Sequence, residues 1–231
     1  MTRYVYIKYA LDFISAAVLL LLTFWVMLLC ALAIKFDDPK SPVMYNAKRF
    51  GKDLRPFKMY KFRTMRPAFE GAGRVTADTL TRPGKLLRKL SLDELPQLVN
   101  ILKGDMSFIG PRPLTERYVP WYTKEQNLRH SVRPGLTGLA QINGRVNLQW
   151  DKRFEYDVRY IKNLSFKEDV IIFFSTFRKI LGGDDAIISE DATESFDYFD
   201  DFQRDRIRKN LVSESELISG DRKVETPVGH L

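Results

Sequence analysis

Twenty-two consecutive residues, Phe13–Ile34, carry no charge and only two hydroxyl side chains, Ser15 and Thr23. A run beyond about 18 such residues marks a membrane helix, because lipid demands that every backbone group be paired within the segment. A cleaved leader is a poor fit: the run is long, and no small-residue cleavage site follows it. Arg3 and Lys8 precede the run; Lys35, Lys40, Lys48, Arg49, Lys52 and Arg55 follow it. Positive residues favour the cytoplasmic side. Positive charge at both ends fits a re-entrant hairpin that enters and leaves on that side. A single span with the body of the chain in the cytoplasm is the alternative.

The chain has 231 residues, which suits an anchor plus one domain. Residues 1–35 are expected to form the membrane helix, 36–185 the cytoplasmic domain, and 186–231 a polar, partly disordered tail. Thirty-seven Lys and Arg against 29 Asp and Glu leave a net charge of +8, which favours anionic partners. The positive charge is scattered, without the basic–aromatic clustering of a nucleic-acid surface, so nucleic acid is not expected as a partner. A membrane-anchored, non-catalytic nucleotide or nucleic-acid binder is the competing class. One cysteine, Cys30, excludes an internal disulfide, and two histidines with it do not make a zinc site. Any metal should be a hard one held by carboxylates.

Within the domain, Val43–Asn46 and Pro56–Thr64 read as strands around a turn at Gly51-Lys52-Asp53. Alternation puts Lys61 on the side of Phe57 and Met59. Residues 67–82 read as loop. Pro83 opens a short basic helix through Leu90 that carries Lys85, Arg88 and Lys89. A helix begins near Asp93-Glu94, followed by a turn over Gly104–Pro113 and a helix near Leu114–Asn127. Arg133–Arg145 reads as loop with a short strand. Two helices follow, near Leu148–Asn163 and Phe166–Leu181. The whole is an α/β class: a mostly helical, membrane-associated domain with a small β-hairpin or sheet.

Asp93 and Glu94 are the first chemical candidates. Ser91 with Glu94 three residues on matches a capping box, and Asp93 is the alternative cap because Pro96 belongs in a first turn. Either choice sets two carboxylates at the positive end of a helix, where phosphate also binds. The bland reading is a plain cap. Arg88, five residues earlier, is either a site cation or part of a solvated basic face. In Gly110-Pro111-Arg112-Pro113, two prolines present one arginine with little freedom, which suits a bidentate grip on phosphate. Asp157 lies on an apolar stripe with Trp150, Phe154, Ile161 and Leu164. An acid there needs a partner, either a site cation or one of the many arginines.

These motifs together resemble a family. YKFRTM at Tyr60–Met65, LDELPQLVNILKGDMSFIGPRP at Leu92–Pro113, RPGLTGLAQINGR at Arg133–Arg145 and FEYDVRYIKNLSF at Phe154–Phe166 are similar to the bacterial sugar transferases, the small monotopic phosphoglycosyl transferases. The resemblance covers about Tyr6–Leu181. It implies transfer of a phosphosugar from a UDP-sugar to polyprenyl phosphate with release of UMP, at the cytoplasmic face of the bacterial inner membrane. The short form implies an N-acetylated amino sugar, with UDP-glucose or UDP-galactose as the runner-up. Asp93 aligns with the nucleophile, and Glu94 with the neighbouring acid linked to Mg²⁺, for which Mn²⁺ can substitute; the two acids are the expected metal ligands. Lys61, Arg88, Arg112, Asp157 and Arg145 are the expected phosphate- and substrate-binding residues. One departure stands out. The family's membrane segment usually carries a Ser-Pro pair that breaks the helix, and the aligned residues here are Thr23-Phe24-Trp25-Val26.

Overall fold

The computed structural model describes residues 3–66, 78–144 and 148–182. Arg145, most of the expected loop over 67–82 and the expected tail of 186–231 lie outside the described residues.

The apolar run forms the middle of one helix, α1, Arg3–Asp37. Its 35 residues at ~1.5 Å rise give roughly 52 Å of unbroken helix. The break of a re-entrant hairpin is not seen. With no proline near Trp25, nothing removes a ladder hydrogen bond, and the Thr23 hydroxyl donates to the Leu19 carbonyl (2.7 Å) without interrupting the helix. Val5, Lys8, Asp12, Ala16, Cys30 and Ile34 are buried on one side. Leu20 and Met27 continue that stripe in partial burial. Spacings of three and four keep the stripe on one face, so the helix rests on the domain along nearly its whole length. Leu11, Ile14, Val18, Leu21, Leu22, Trp25, Leu29 and Leu32 are exposed on its other sides.

A hairpin follows, β1 (Met44–Phe50) and β2 (Pro56–Phe62), antiparallel from Met44↔Phe62 to Phe50↔Pro56. The turn between them is slightly longer than the expected three residues: the Gly51 amide closes on the Arg55 carbonyl at 2.9 Å. Helix α2 (Arg82–Lys89) is capped by Thr81, whose side chain accepts from the Gly84 amide at 3.0 Å, with Pro83 in the first turn as expected. Helix α3 is short, Gln97–Leu102. Its Asn100 is fully buried and serves β2 as a third strand would: Nδ2 donates to the Lys58 carbonyl (2.7 Å) and Oδ1 accepts from the Tyr60 amide (3.0 Å). The hairpin edge is thereby locked to α3.

The sheet content is greater than one hairpin. Strand β3 (Ser107–Ile109) pairs in parallel with β4 (Gly135–Thr137). Gly135 is required there, since a Cβ would lie 2.1 Å from the Gly110 amide nitrogen. The expected helix near Leu114–Asn127 is instead a 3₁₀ stretch, Glu116–Trp121, and a single α-turn, α4 (Lys124–Asn127). Thr123 and Gln126 form a reciprocal capping box that starts a new turn there. Then come α5 (Leu139–Ile142), α6 (Trp150–Lys162) and α7 (Phe166–Gly182).

Ala16 of α1, Ala47 and Met59 of the hairpin, and Leu98 and Ile101 of α3 share one core cluster with Met106. Cys30 and Ile34 join Phe62 and Leu87 in a second. Tyr118, Trp121, Tyr122 and Phe154 form an aromatic third. At the start of α1 a buried polar knot ties the helix to α7. Lys8 Nζ lies 2.8 Å from the Asp169 carboxylate, which also accepts from Tyr4 (2.6 Å) and Tyr160 (2.7 Å). Asp12 accepts from Ser107 at 2.6 Å.

Candidate active site

The acid pair sits in a 3₁₀ turn, Leu92–Glu94, one turn before α3. The expected capping box does not form. Ser91 adopts the left-handed region (φ 55°) and its side chain caps nothing. Its amide bonds back to the Arg88 carbonyl at 3.0 Å, which ends α2 and folds it back sharply on the acid pair. A non-glycine residue in this conformation is strained by of order 1 kcal/mol, and such strain collects at functional sites.

The reversal brings the predicted charges together. Glu94 Oε1 lies 2.6 Å from Lys61 Nζ and 3.6 Å from the Arg112 guanidinium. Lys61 reaches it because it shares the α3-facing side of β2 with Phe57 and Met59, as the alternation predicts. Arg88 points its Nε at the Thr64 hydroxyl (2.9 Å), and its charged neighbours are Asp93, Glu94 and Arg112. Asp93 is nearly buried, at 8% exposed. Desolvation pushes its carboxyl above the ordinary aspartate value; the Lys61 charge pulls it down, Glu94 pushes it up and Arg88 pulls it down. Burial pulls the Arg88 guanidinium below its ordinary value. The resulting site holds three cations against two carboxylates, with an exposed arginine at its rim and a desolvated acid at its base. A desolvated carboxylate flanked by cations can attack phosphorus while the cations take up the charge of a diphosphate.

Asp157 is elsewhere. It is 2% exposed, and its carboxylate pairs with Arg129 at 2.9 Å. Its charged neighbours are Arg129 and Arg153, so it forms an internal ion pair apart from the cluster of Lys61, Arg88 and Arg112. Sequence reasoning missed Arg129. The signal was indirect: an acid on an apolar face requires a cation, but nothing local says which one.

Whether the acid pair suits a divalent ion is decided by its donor set. Among the described residues no group of three or more His, Cys, Asp or Glu side chains comes together. Two adjacent carboxylates fit Mg²⁺ or Mn²⁺ only in the manner where substrate phosphates complete the shell.

His130, next to Arg129, gives a test of the surrounding packing. Its Nδ1 lies 3.1 Å from the Gly51 carbonyl. Burial, helped by the Arg129 charge, lowers its pKa to about 3. A depressed histidine stabilises the fold above its unfolded value near 6.5, and that contribution is lost as pH falls toward 3. Asp157, pushed up to about 6 by burial, has the opposite sign. The difference between wild type and His130→Gln therefore isolates the histidine. Urea unfolding from pH 7 to 4 should show wild type losing up to about 1.4 kcal/mol per pH unit more than the variant below ~6.5. Parallel curves would contradict the buried neutral imidazole.

Comparison with known proteins gives the family. The bacterial sugar transferase family model matches residues 3–183. The chain belongs to this family of phosphoglycosyl transferases. It is 48% identical over 170 residues to an uncharacterized sugar transferase, EpsL, of Bacillus subtilis, covering 73% of this chain and 84% of that protein. It is 43% identical over 190 residues to the UDP-N-acetylgalactosamine-undecaprenyl-phosphate N-acetylgalactosaminephosphotransferase of Aeromonas hydrophila (78% of this chain, 45% of that protein). It is 40% identical over 186 residues to the UDP-glucose:undecaprenyl-phosphate glucose-1-phosphate transferase of Escherichia coli strain K12 (75% and 40%). The chain thus spans less than half the length of the latter two.

Proposed function

We propose that this protein transfers a phosphosugar from a UDP-sugar, with an N-acetylated amino sugar as the donor, to undecaprenyl phosphate through a covalent aspartyl intermediate. The observation that carries this reading is the desolvated Asp93 beside Glu94, ringed by Lys61, Arg88 and Arg112. An Asp93 carboxylate oxygen attacks the phosphorus next to the sugar. The bond from that phosphorus to the bridging oxygen breaks, and UMP leaves with the electron pair. A polyprenyl phosphate oxygen then attacks the same phosphorus and the Asp93 carboxylate leaves, giving a polyprenyl-diphosphate sugar. Asp93 and Glu94 would hold Mg²⁺ together with substrate oxygens, and the ion would supply further charge neutralisation. Lys61 holds Glu94 in place, and Arg88 and Arg112 bind the phosphates. The two relatives named for a sugar differ in it, so a UDP-hexose is the second reading. The test is UMP release with undecaprenyl phosphate and a panel of UDP-sugars. One amino-sugar donor should give turnover with Mg²⁺ and none in excess chelator. Preference for UDP-glucose would select the second reading, and full activity in chelator would refute the carboxylate-held metal.

The same proposal places α1 along the cytoplasmic face, both ends on one side. Its support is the single stripe from Val5 to Ile34 that rests on the hairpin, α2 and α3. A helix crossing at right angles would carry those elements into hydrocarbon. The exposed side from Leu11 to Leu32 would lie in the lipid. A single cysteine at Thr2, with Cys30→Ser, should resist an impermeant thiol reagent in intact cells and react after the inner membrane is opened. Labelling in intact cells would mean a span.

A further inference from the structure

We propose that Arg129 is a positioning residue for catalysis: it fixes the backbone from which Arg112 reaches the acid pair, and Asp157 serves to keep Arg129 in place. This rests on the transferase reading of the same site. Arg112 needs such help. Pro111 and Pro113 restrict the loop, but the Arg112 side chain is 45% exposed and meets Glu94 only at 3.6 Å. Little at its tip holds it.

Its main chain is held instead. Arg129 Nη2 donates to the Arg112 carbonyl at 2.7 Å. The same nitrogen lies 2.9 Å from the Asp157 carboxylate, and Nη1 donates to the Tyr122 hydroxyl at 2.9 Å. The guanidinium stands over the rings of Tyr122 (5.4 Å) and Phe154 (5.3 Å). Arg129 is 3% exposed, so no water competes for these contacts. A planar fork with five donors can serve three acceptors in fixed directions, whereas a lysine cannot. Apolar residues would fill this place at least as stably as a buried ion pair. What apolar residues would not do is grip the carbonyl of a phosphate-binding arginine. Asp157 on α6 thereby acts on the site through two links, Arg129 and the Arg112 backbone.

The test is a double-mutant cycle. Arg129→Lys should lower kcat/KM for the UDP-sugar about ten- to hundredfold in the wild-type background, but less than about twofold when Arg112 is already alanine. Its loss of thermal stability should be the same in both backgrounds. A stability role alone predicts equal losses of activity in both, and that result would overturn the proposal; so would an unchanged kcat/KM. Should Arg129→Lys not fold, Tyr122→Phe, which removes one acceptor, should show the same pattern at smaller amplitude. The cycle is also read in the Kd for UMP, without turnover. UMP binding with no transfer from any UDP-sugar would refute the transferase reading while the cycle in Kd still decides the role of Arg129.

Discussion

Asp93→Asn should stop phosphosugar transfer, by at least ~10⁴-fold, and leave the fold intact. The amide has the size of the carboxylate but no nucleophilic charge, and loss of a covalent nucleophile has effects of that order. Stability should not fall. Asp93 is buried with its carboxyl pushed above the ordinary range, so its charged form is held at a cost to the fold. Mass spectrometry of the wild type with UDP-sugar alone should find one phosphosugar, on Asp93. The raised carboxyl also sets the pH dependence. The acid limb of kcat/KM should lie above the usual aspartate value, since the charged form is the active one. Lys61→Met removes a charge that pulls Asp93 down, so that limb should move further up. An adduct on another residue, or an active Asp93→Asn enzyme, would refute the assignment.

The second large effect concerns the knot at the start of α1. Asp169 takes hydrogen bonds from Tyr4 and Tyr160 and pairs with Lys8, whose side chain is 6% exposed. Asp169→Leu leaves a buried ammonium without its main partner, and breaking such a pair costs about 3–5 kcal/mol. Against a total of roughly 5–15 kcal/mol, that threatens the fold. Replacing both partners, Lys8→Met with Asp169→Leu, should recover much of the loss, because the ammonium goes with its carboxylate, while Asp12, 3.8 Å from Lys8, keeps its hydrogen bonds from the Ser107 hydroxyl and the Phe108 amide. Unfolding in detergent measures both variants. A double variant no better than the single would show that the ion pair is not the source of the effect.

The parts of the site legible in sequence were those fixed by local rules. Strand alternation put Lys61 on the correct side, two prolines singled out Arg112, and adjacent acids marked Asp93 and Glu94. What failed depended on distant partners or on backbone states that composition does not announce. Ser91 looked like a cap but takes a left-handed conformation, so Glu94 pairs with Lys61 from the hairpin rather than with a helix end. Asp157 was readable as an acid in need of a partner, yet Arg129 sits 28 positions earlier in an unremarkable stretch. Thr123 and Gln126 split the expected helix near Leu114–Asn127 by a reciprocal cap. The parallel pairing of β3 and β4 was illegible for a simpler reason. Each strand is three residues long, too short for a period to show.

The knot also sets an order of events during synthesis. Tyr4 and Asp169 are 165 positions apart, so α1 leaves the ribosome long before it can complete its contacts. At roughly 5–20 residues per second the chain spends on the order of ten seconds with α1 made and its clasp unmade. Through that interval a helix with apolar sides and two charges meant for burial, Lys8 and Asp12, has no protein to cover either. Lipid can shelter the apolar sides at once, while Lys8 and Asp12 must wait near the headgroups. The closing of the clasp is therefore a checkpoint on assembly: a nascent chain truncated before α7 should bind membrane yet leave its first helix open to protease.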